Sequence, residues 1–103
     1  MFGRRNNDKR ARRDGAPRRY HRSADAMGVE QGGRTVLLDL RSEQYFALDD
    51  VGTRIWALLG ESRTVDAITG ELTRTFDVPE SVVRQDVEEF LAALERERLL
   101  VVE

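Results

Sequence analysis

The 103-residue sequence predicts an α+β fold of the winged helix-turn-helix kind: a three-stranded antiparallel sheet, three helices and a short C-terminal strand. Three observations carry this expectation. Two β-branched or aromatic runs flank a polar turn between residues 34 and 48, three apolar stripes at helical spacing follow between Val51 and Leu94, and the chain closes on Leu99-Leu100-Val101-Val102. A chain of this length makes one domain. With 40% hydrophobic residues it can build a modest core, burying roughly 60% of its unfolded surface.

Each element has a local reason. Met27 to Gln31 is a weak strand candidate that runs into Gly32-Gly33, a turn signal. Arg34-Thr35-Val36-Leu37-Leu38-Asp39-Leu40 is β-branched and apolar and makes the second strand, and Arg41-Ser42-Glu43 turns the chain. Gln44-Tyr45-Phe46-Ala47-Leu48 makes the third, with Phe46 and Leu48 on one face and Tyr45 and Ala47 on the other. Asp49 or Asp50 caps the first helix, because a short carboxylate accepts the free N–H groups of the first turn. Val51, Ile55, Leu58 and Leu59 form its stripe, Trp56 packs beside them, and Gly60 closes it. Thr64 caps the second helix, whose stripe is Val65, Ile68 and Leu72. Gly70 weakens its middle by up to ~1 kcal/mol relative to alanine. Pro79 suits the first turn of the third helix, which carries the longest stripe: Val83, Val87, Phe90, Leu91 and Leu94.

The net charge of -2 hides two opposed halves. Residues 1–25 hold nine Lys or Arg against three Asp, a charge of +6, whereas residues 26–103 hold eight Arg against sixteen Asp or Glu, a charge of -8. Only Phe2 and Tyr20 give the basic half apolar bulk, so Met1 to Asp25 is expected to be a disordered tail when free. The folded domain is then Ala26 to Glu103. The tail's arginine runs carry charge without specificity, so the favoured reading is a solvated tail with no specific partner, with attraction to nucleic acid or an acidic protein surface as the alternative. His21, the one histidine, stands alone in this polar segment and is not expected to bind a metal.

Residues 26–103 contain no histidine, cysteine or lysine, so no Ser–His or Cys–His pair can be assembled there. Carboxylates abound at Asp49, Asp50, Asp86, Glu88, Glu89, Glu95 and Glu97, but helix caps and solvated helix faces account for them, and their spacing gives no metal site. Gly32-Gly33 belongs to no phosphate-loop pattern. The expected inventory is therefore no catalytic residue, no metal and no cofactor. No segment reaches the ~20 apolar residues of a membrane span, and no apolar run follows the N-terminal arginines as in a secretory signal. Absence of cysteine suits the cytoplasm.

An ordered set of segments is more specific than composition. It comprises Val36 to Leu40, Gln44 to Asp49, Val51-Gly52, Ile55-Trp56, Thr64 to Ile68, Leu72, Asp86 to Leu94 and Leu99-Leu100. This set, from about Val29 to Val102, resembles the PqqD family of the pyrroloquinoline quinone pathway, and within it the stand-alone leader-binding proteins of lasso-peptide clusters. Leu48-Asp49 stands where the family commonly has Leu-Asn, an exchange between two good caps. Gly70 is unusual at its site, and the arginine-rich tail is outside the family pattern.

The resemblance implies a function. Such proteins bind the N-terminal leader of a ribosomally made precursor peptide and present it to processing enzymes, a leader peptidase or cyclase. The leader adds as a strand to the third strand and lies beside the third helix. The implied peptide-binding residues are Gln44, Tyr45, Phe46, Ala47 and Leu48 along the strand, with Val83, Arg84, Asp86, Val87 and Phe90 on the helix. Phe46, Leu48, Val87 and Phe90 are equally core candidates, and at least half of them are expected to be core. A lasso pathway is preferred, with a quinone-cofactor or radical-enzyme pathway open, as is the oligomeric state, a monomer included. The rival reading is a DNA-binding winged helix, which needs a basic recognition helix. The third helix, read as Glu80 to Arg98, has three arginines against six carboxylates.

Overall fold

The computed structural model describes residues 17–103, and the disorder expected of residues 1–16 lies outside them. Eight elements follow in order: β1 (Tyr20–Arg22), β2 (Ala26–Gln31), β3 (Arg34–Asp39), β4 (Gln44–Ala47), α1 (Asp50–Leu58), α2 (Val65–Thr75), α3 (Glu80–Arg96) and β5 (Leu100–Val102). β2, β3 and β4 form an antiparallel meander, and β1 and β5 form a separate antiparallel pair. The predicted sheet and helices are all present.

Glycine is required in the first hairpin. Gln31 faces Arg34 across a two-residue loop, and Gly32 and Gly33 both take positive φ, 60° and 84°. A tight turn with φ > 0 at both central positions matches the strands' twist, and glycine adopts it without steric cost. The second hairpin is held by side chains instead. Asp39 accepts the Arg41 N–H and the Ser42 hydroxyl, and Glu43 is turned into the left-handed region at φ 64°.

The helices begin where the caps predict. The Asp49 carboxylate accepts the Gly52 N–H at 2.8 Å, and the Thr64 hydroxyl accepts the Ala67 N–H at 3.1 Å. Gly60 does not take the left-handed conformation common after a helix, and α1 ends instead on close backbone bonds from Leu59 to Ile55 and Trp56. α2 runs unbroken through Gly70, whose missing side chain faces open space, so its cost is the conformational one alone. One core gathers the inner sheet face and all three helices: Leu37 and Leu48, Ile55, Trp56 and Leu59, Ile68 and Leu72, then Val83, Val87, Leu91 and Leu94. Trp56 is a core residue, as expected, and its indole edge occupies the space a side chain on Gly28 would fill.

The domain boundary needs correction. Composition ends the tail at Asp25, but Tyr20–Arg22 is a strand paired with β5, Tyr20 facing Val102. Tyr20 is buried in the core and exchanges backbone hydrogen bonds with Arg63. Arg22 stacks over the Trp56 ring, 4.9 Å from its centroid, and donates twice to the Trp56 carbonyl at 3.0 and 2.7 Å. Its burial lowers the guanidinium pKa, and the ring face and the carbonyl together offset that desolvation. The folded unit thus includes the last part of the basic segment. Tyr20→Ala should cost about 3–5 kcal/mol, the range for emptying a buried aromatic site. Urea denaturation of the variant checks this, and an unchanged midpoint would return these residues to the tail.

Candidate functional site

β4 is an edge strand among the described residues, paired on one side only. Its register against β3 places Leu37 opposite Phe46 and Leu38 opposite Tyr45, and the Leu48 N–H continues the ladder to the Thr35 carbonyl at 2.9 Å. Antiparallel pairing alternates, so Gln44, Phe46 and Leu48 bond to β3 while the N–H and C=O groups of Tyr45 and Ala47 point outward. These four groups are a template for an added strand. β2 is the other edge of the meander, and the same alternation turns Gly28 and Glu30 outward there.

The β4 edge differs from the β2 edge in what it leads to. Leu48, directly after β4, is buried and abuts the start of α1 at Gly52. A side chain on Gly52 would meet Phe90 of α3 at 3.0 Å and Leu48 at 3.3 Å, so the bare glycine lets strand end, helix start and aromatic ring converge. Outside this convergence lies an open groove of about 350 Å³ between α1 and α3, lined by Asp49, Val51, Gly52, Ile55, Asp86, Glu89 and Phe90. It continues past Val51 and Asp86 into a smaller apolar recess of about 60 Å³ bounded by Leu72, Phe76, Val78 and Val83. The floor is apolar and the rim acidic.

The predicted site residues divide accordingly. Gln44, Tyr45 and Ala47 are exposed along the edge, and Phe46 is half-buried against the core. Leu48 and Val87 are buried core residues, Val87 completely, so they support the groove rather than line it. Asp86 and Phe90 line the groove and Val83 reaches the recess. Arg84 is not brought to them. It turns to the opposite flank of α3, donating to Asp66 of α2 at 2.6 Å and to Glu80 at 2.7 Å. The Asp66 contact and then the Glu80 contact raise its pKa further, so this guanidinium is committed to joining α2 and α3.

Sequence reasoning missed Val51, Asp49 and Glu89 as groove residues. Val51 lies on the predicted core stripe and Asp49 at the predicted cap, each with a sufficient local explanation that concealed its second role. It also missed the outer face of the sheet. Met27, Leu38 and Tyr45 form one cross-strand row there, and Val29, Val36 and Ala47 the next. Met27 is 46% exposed, Val29 42% and Tyr45 72%. The outer face of an antiparallel sheet is ordinarily polar, and six uncharged side chains in two adjacent rows form a contiguous apolar patch. The alternation along residues 34–40 carried the signal, since Val36, Leu38 and Leu40 are apolar beside the inward Leu37. Among the described residues no group of three or more His, Cys, Asp or Glu is placed to hold a metal ion, and no helix is long and apolar enough to cross a membrane.

This edge, groove and helix order can be set against known proteins. The family described as coenzyme PQQ synthesis protein D matches residues 34–100, more than half the chain and every element of the groove. The chain belongs to the PqqD family. A relative from Rhizobium meliloti (strain 1021), described as PqqA binding protein, is 34% identical over 68 residues, 66% of this chain and 67% of that protein. The solved structure of TbiB1 in complex with the TbiA(beta) leader peptide has a TM-score of 0.73 at 34% identity, covering 78% of this chain and 93% of that one. A lasso peptide synthetase B1 structure, complexed with the leader peptide, shares the fold with a TM-score of 0.71 at 20% identity, over 80% and 96% of the two chains.

Within this PqqD-family site, Asp39 governs how β4 is presented. Its burial opposes the charged form, but the Ser42 hydroxyl, the Arg41 and Ser42 amides and the Arg41 guanidinium outweigh it, so its pKa is lowered. A depressed carboxylate pKa contributes stability that is present above the unfolded value of about 3.9 and is lost as pH falls through the folded value. Asp39→Asn should therefore be less stable at neutral pH and lose less stability on acidification than the parent chain. Thermal melts of both at neutral pH and near pH 3 check this; equal losses would show that Asp39 is not a source of the acid dependence.

Proposed function

We propose that this chain binds the leader segment of a ribosomally made precursor peptide by strand addition to β4 and presents it to the enzymes that process it. One observation carries the reading: the β4 edge leads, through Leu48, Gly52 and Phe90, into a groove with an apolar floor and an acidic rim. The outward N–H and C=O groups of Tyr45 and Ala47 supply affinity without sequence preference, and the groove supplies selectivity. Asp86 is the polar group common to groove and recess. Phe90, Val51 and Val83 supply apolar contact. The family and the leader-peptide complex of a 34% identical relative support this reading.

A lasso-peptide pathway with a leader peptidase as recipient is the finer reading. It follows the TbiB1 relative, of which the chain covers 93%, in preference to the PqqA binding protein, of which it covers 67%. The outer sheet face fits the presenting role. A leader added to β4 extends the sheet, and its alternate side chains continue the apolar rows of Met27, Leu38, Tyr45 and Val29, Val36, Ala47. A processing enzyme that docks on this face meets the module and the leader on one surface. We assign the chain no chemistry of its own. Asp49 caps α1 and, with Asp86 and Glu89, lines the groove, Asp66 and Glu80 hold Arg84, and His21 pairs with Glu103 at 3.2 Å on the far strand pair.

DNA binding finds no support in the geometry. α3 carries Arg84 and Arg96 against five carboxylates, and Arg84 is already held by Asp66 and Glu80. Such a helix repels the phosphates that a recognition helix must approach.

Ala47→Pro tests strand addition directly. The Ala47 N–H points away from β3, so proline removes a donor offered to the peptide and leaves the β3–β4 ladder intact. The leader peptide of a cognate precursor should bind about tenfold or more weakly to the variant, from one lost hydrogen bond and the ring's obstruction of the edge. Fluorescence anisotropy measures the affinity and a thermal melt verifies the fold. Undiminished affinity in a folded variant would contradict addition to β4.

A further inference from the structure

β2 is the second edge of the meander, and it lacks the usual protection of one. Natural edges are blunted by short length, basic residues, proline or a bulge. The six residues of β2 pair with β3 in an unbroken register, and among the described residues no strand lies on the other side. The strand has no proline and no basic residue, Glu30 is its one charge, and every position after Ala26 is exposed. Its outward backbone groups at Gly28 and Glu30 are open to a further strand.

The sequence of β2 suits pairing with itself. A two-fold axis at Gly28 sets Gly28 opposite Gly28, Met27 opposite Val29 and Ala26 opposite Glu30 of the other copy. The two Gly28 residues exchange both backbone bonds, and the Glu30 N–H of each copy meets the Ala26 carbonyl of the other. The Ala26 N–H is already held by the Ser23 carbonyl at 3.2 Å. No charge opposes a like charge, and a net charge of -2 on the whole chain gives little repulsion between copies. A side-chain carbon at Gly28 would lie 2.6 Å from the Trp56 Nε1, so opposed glycines leave room at the seam for both indole edges.

The outer face selects this register. With the axis at Gly28, the row Tyr45, Leu38, Met27 runs on into Val29, Val36 and Ala47 of the other copy, and the second row does the same in reverse. With the axis at Val29, Met27 would run into Gln31 and Arg34; with the axis at Met27, Val29 would meet Asp25. Only the Gly28 axis joins apolar to apolar along both rows.

We propose that two copies of this chain pair antiparallel through β2, centred on Gly28, into one six-stranded sheet. The β4 edges lie at its two ends, both open, and the apolar outer faces become one continuous surface. A single pair of strands falls short of the roughly 800 Å² per partner of a stable interface, so the pairing is weak and favoured by high concentration or by a protein that covers the joined face. Presentation of two leaders on one sheet rests on the leader reading above. The pairing does not, and the test contains no peptide.

Sedimentation equilibrium of the full chain from about 20 μM to about 1 mM covers the range of a weak interface. The expected result is an average mass that rises with concentration from monomer towards dimer. Glu30→Pro should abolish the rise, because the Glu30 N–H points away from β3 and proline obstructs the edge without touching the β2–β3 ladder. Met27→Lys and Val29→Glu, both at exposed positions, should each weaken association severalfold, and an equimolar mixture of the two should associate more tightly than either alone, since lysine then faces glutamate across the seam. Thermal melts verify the fold of each variant. A constant monomer mass up to the highest concentration, undiminished association of folded Glu30→Pro, or a mixture no tighter than its components would each overturn the proposal. Leader binding is read on dilute protein at the opposite edge and stands or falls separately.

Discussion

The architecture depends on one junction, where Leu48 ties an edge strand into the core. β4 has only four residues and, among the described residues, one strand partner. A strand so placed would fray without an anchor, because few buried contacts oppose its opening. Leu48 bonds back to Thr35, buries its side chain and passes the chain to Asp49, which caps α1. Edge and groove are thereby fixed to the same three residues, Leu48, Asp49 and Gly52. Gly52 is the tightest point, since Phe90 occupies the space beside it. An edge held at one face and open at the other is what strand addition requires: the bound peptide orders itself against a backbone already ordered.

Charge is distributed to the same end. The folded region is strongly acidic, yet its arginines hold the fold rather than meeting a polyanion. Arg22 covers Trp56, Arg63 donates to the Leu58 carbonyl, Arg41 joins Asp25 and Asp39, and Arg84 joins α2 to α3. Among the described residues, the groove-side charges without an ion pair are those of Asp49, Asp86 and Glu89. This separates the molecule from winged-helix proteins that bind nucleic acid, whose shared topology says nothing of the ligand.

The sheet order, the three helices and both caps were legible because they rest on local rules: a Gly-Gly hairpin, alternation along residues 34–48, Asp49 and Thr64 ahead of helical stripes. Phe90 and Asp86 were legible as groove residues because an apolar helical stripe has a flank. Arg84 was not separable from Asp86 by sequence, since two residues on one helix point 160° apart only relative to a core direction that the packing sets. β1 was hidden for a different reason. Tyr-His-Arg has one apolar residue in a basic surround, and it becomes a strand through pairing with β5 some eighty residues later. The register of that pairing, like the apolar outer face of the sheet, is tertiary information.

The central claim is that the leader pairs with β4 rather than with another edge, and amide hydrogen exchange with saturating leader peptide tests it at single residues. The outward amides of Tyr45 and Ala47 have no strand partner among the described residues and should become strongly protected in the complex. Protection at Gly28 and Glu30 of β2, or unchanged exchange at Tyr45 and Ala47 in a chain that has bound the peptide, would contradict the account.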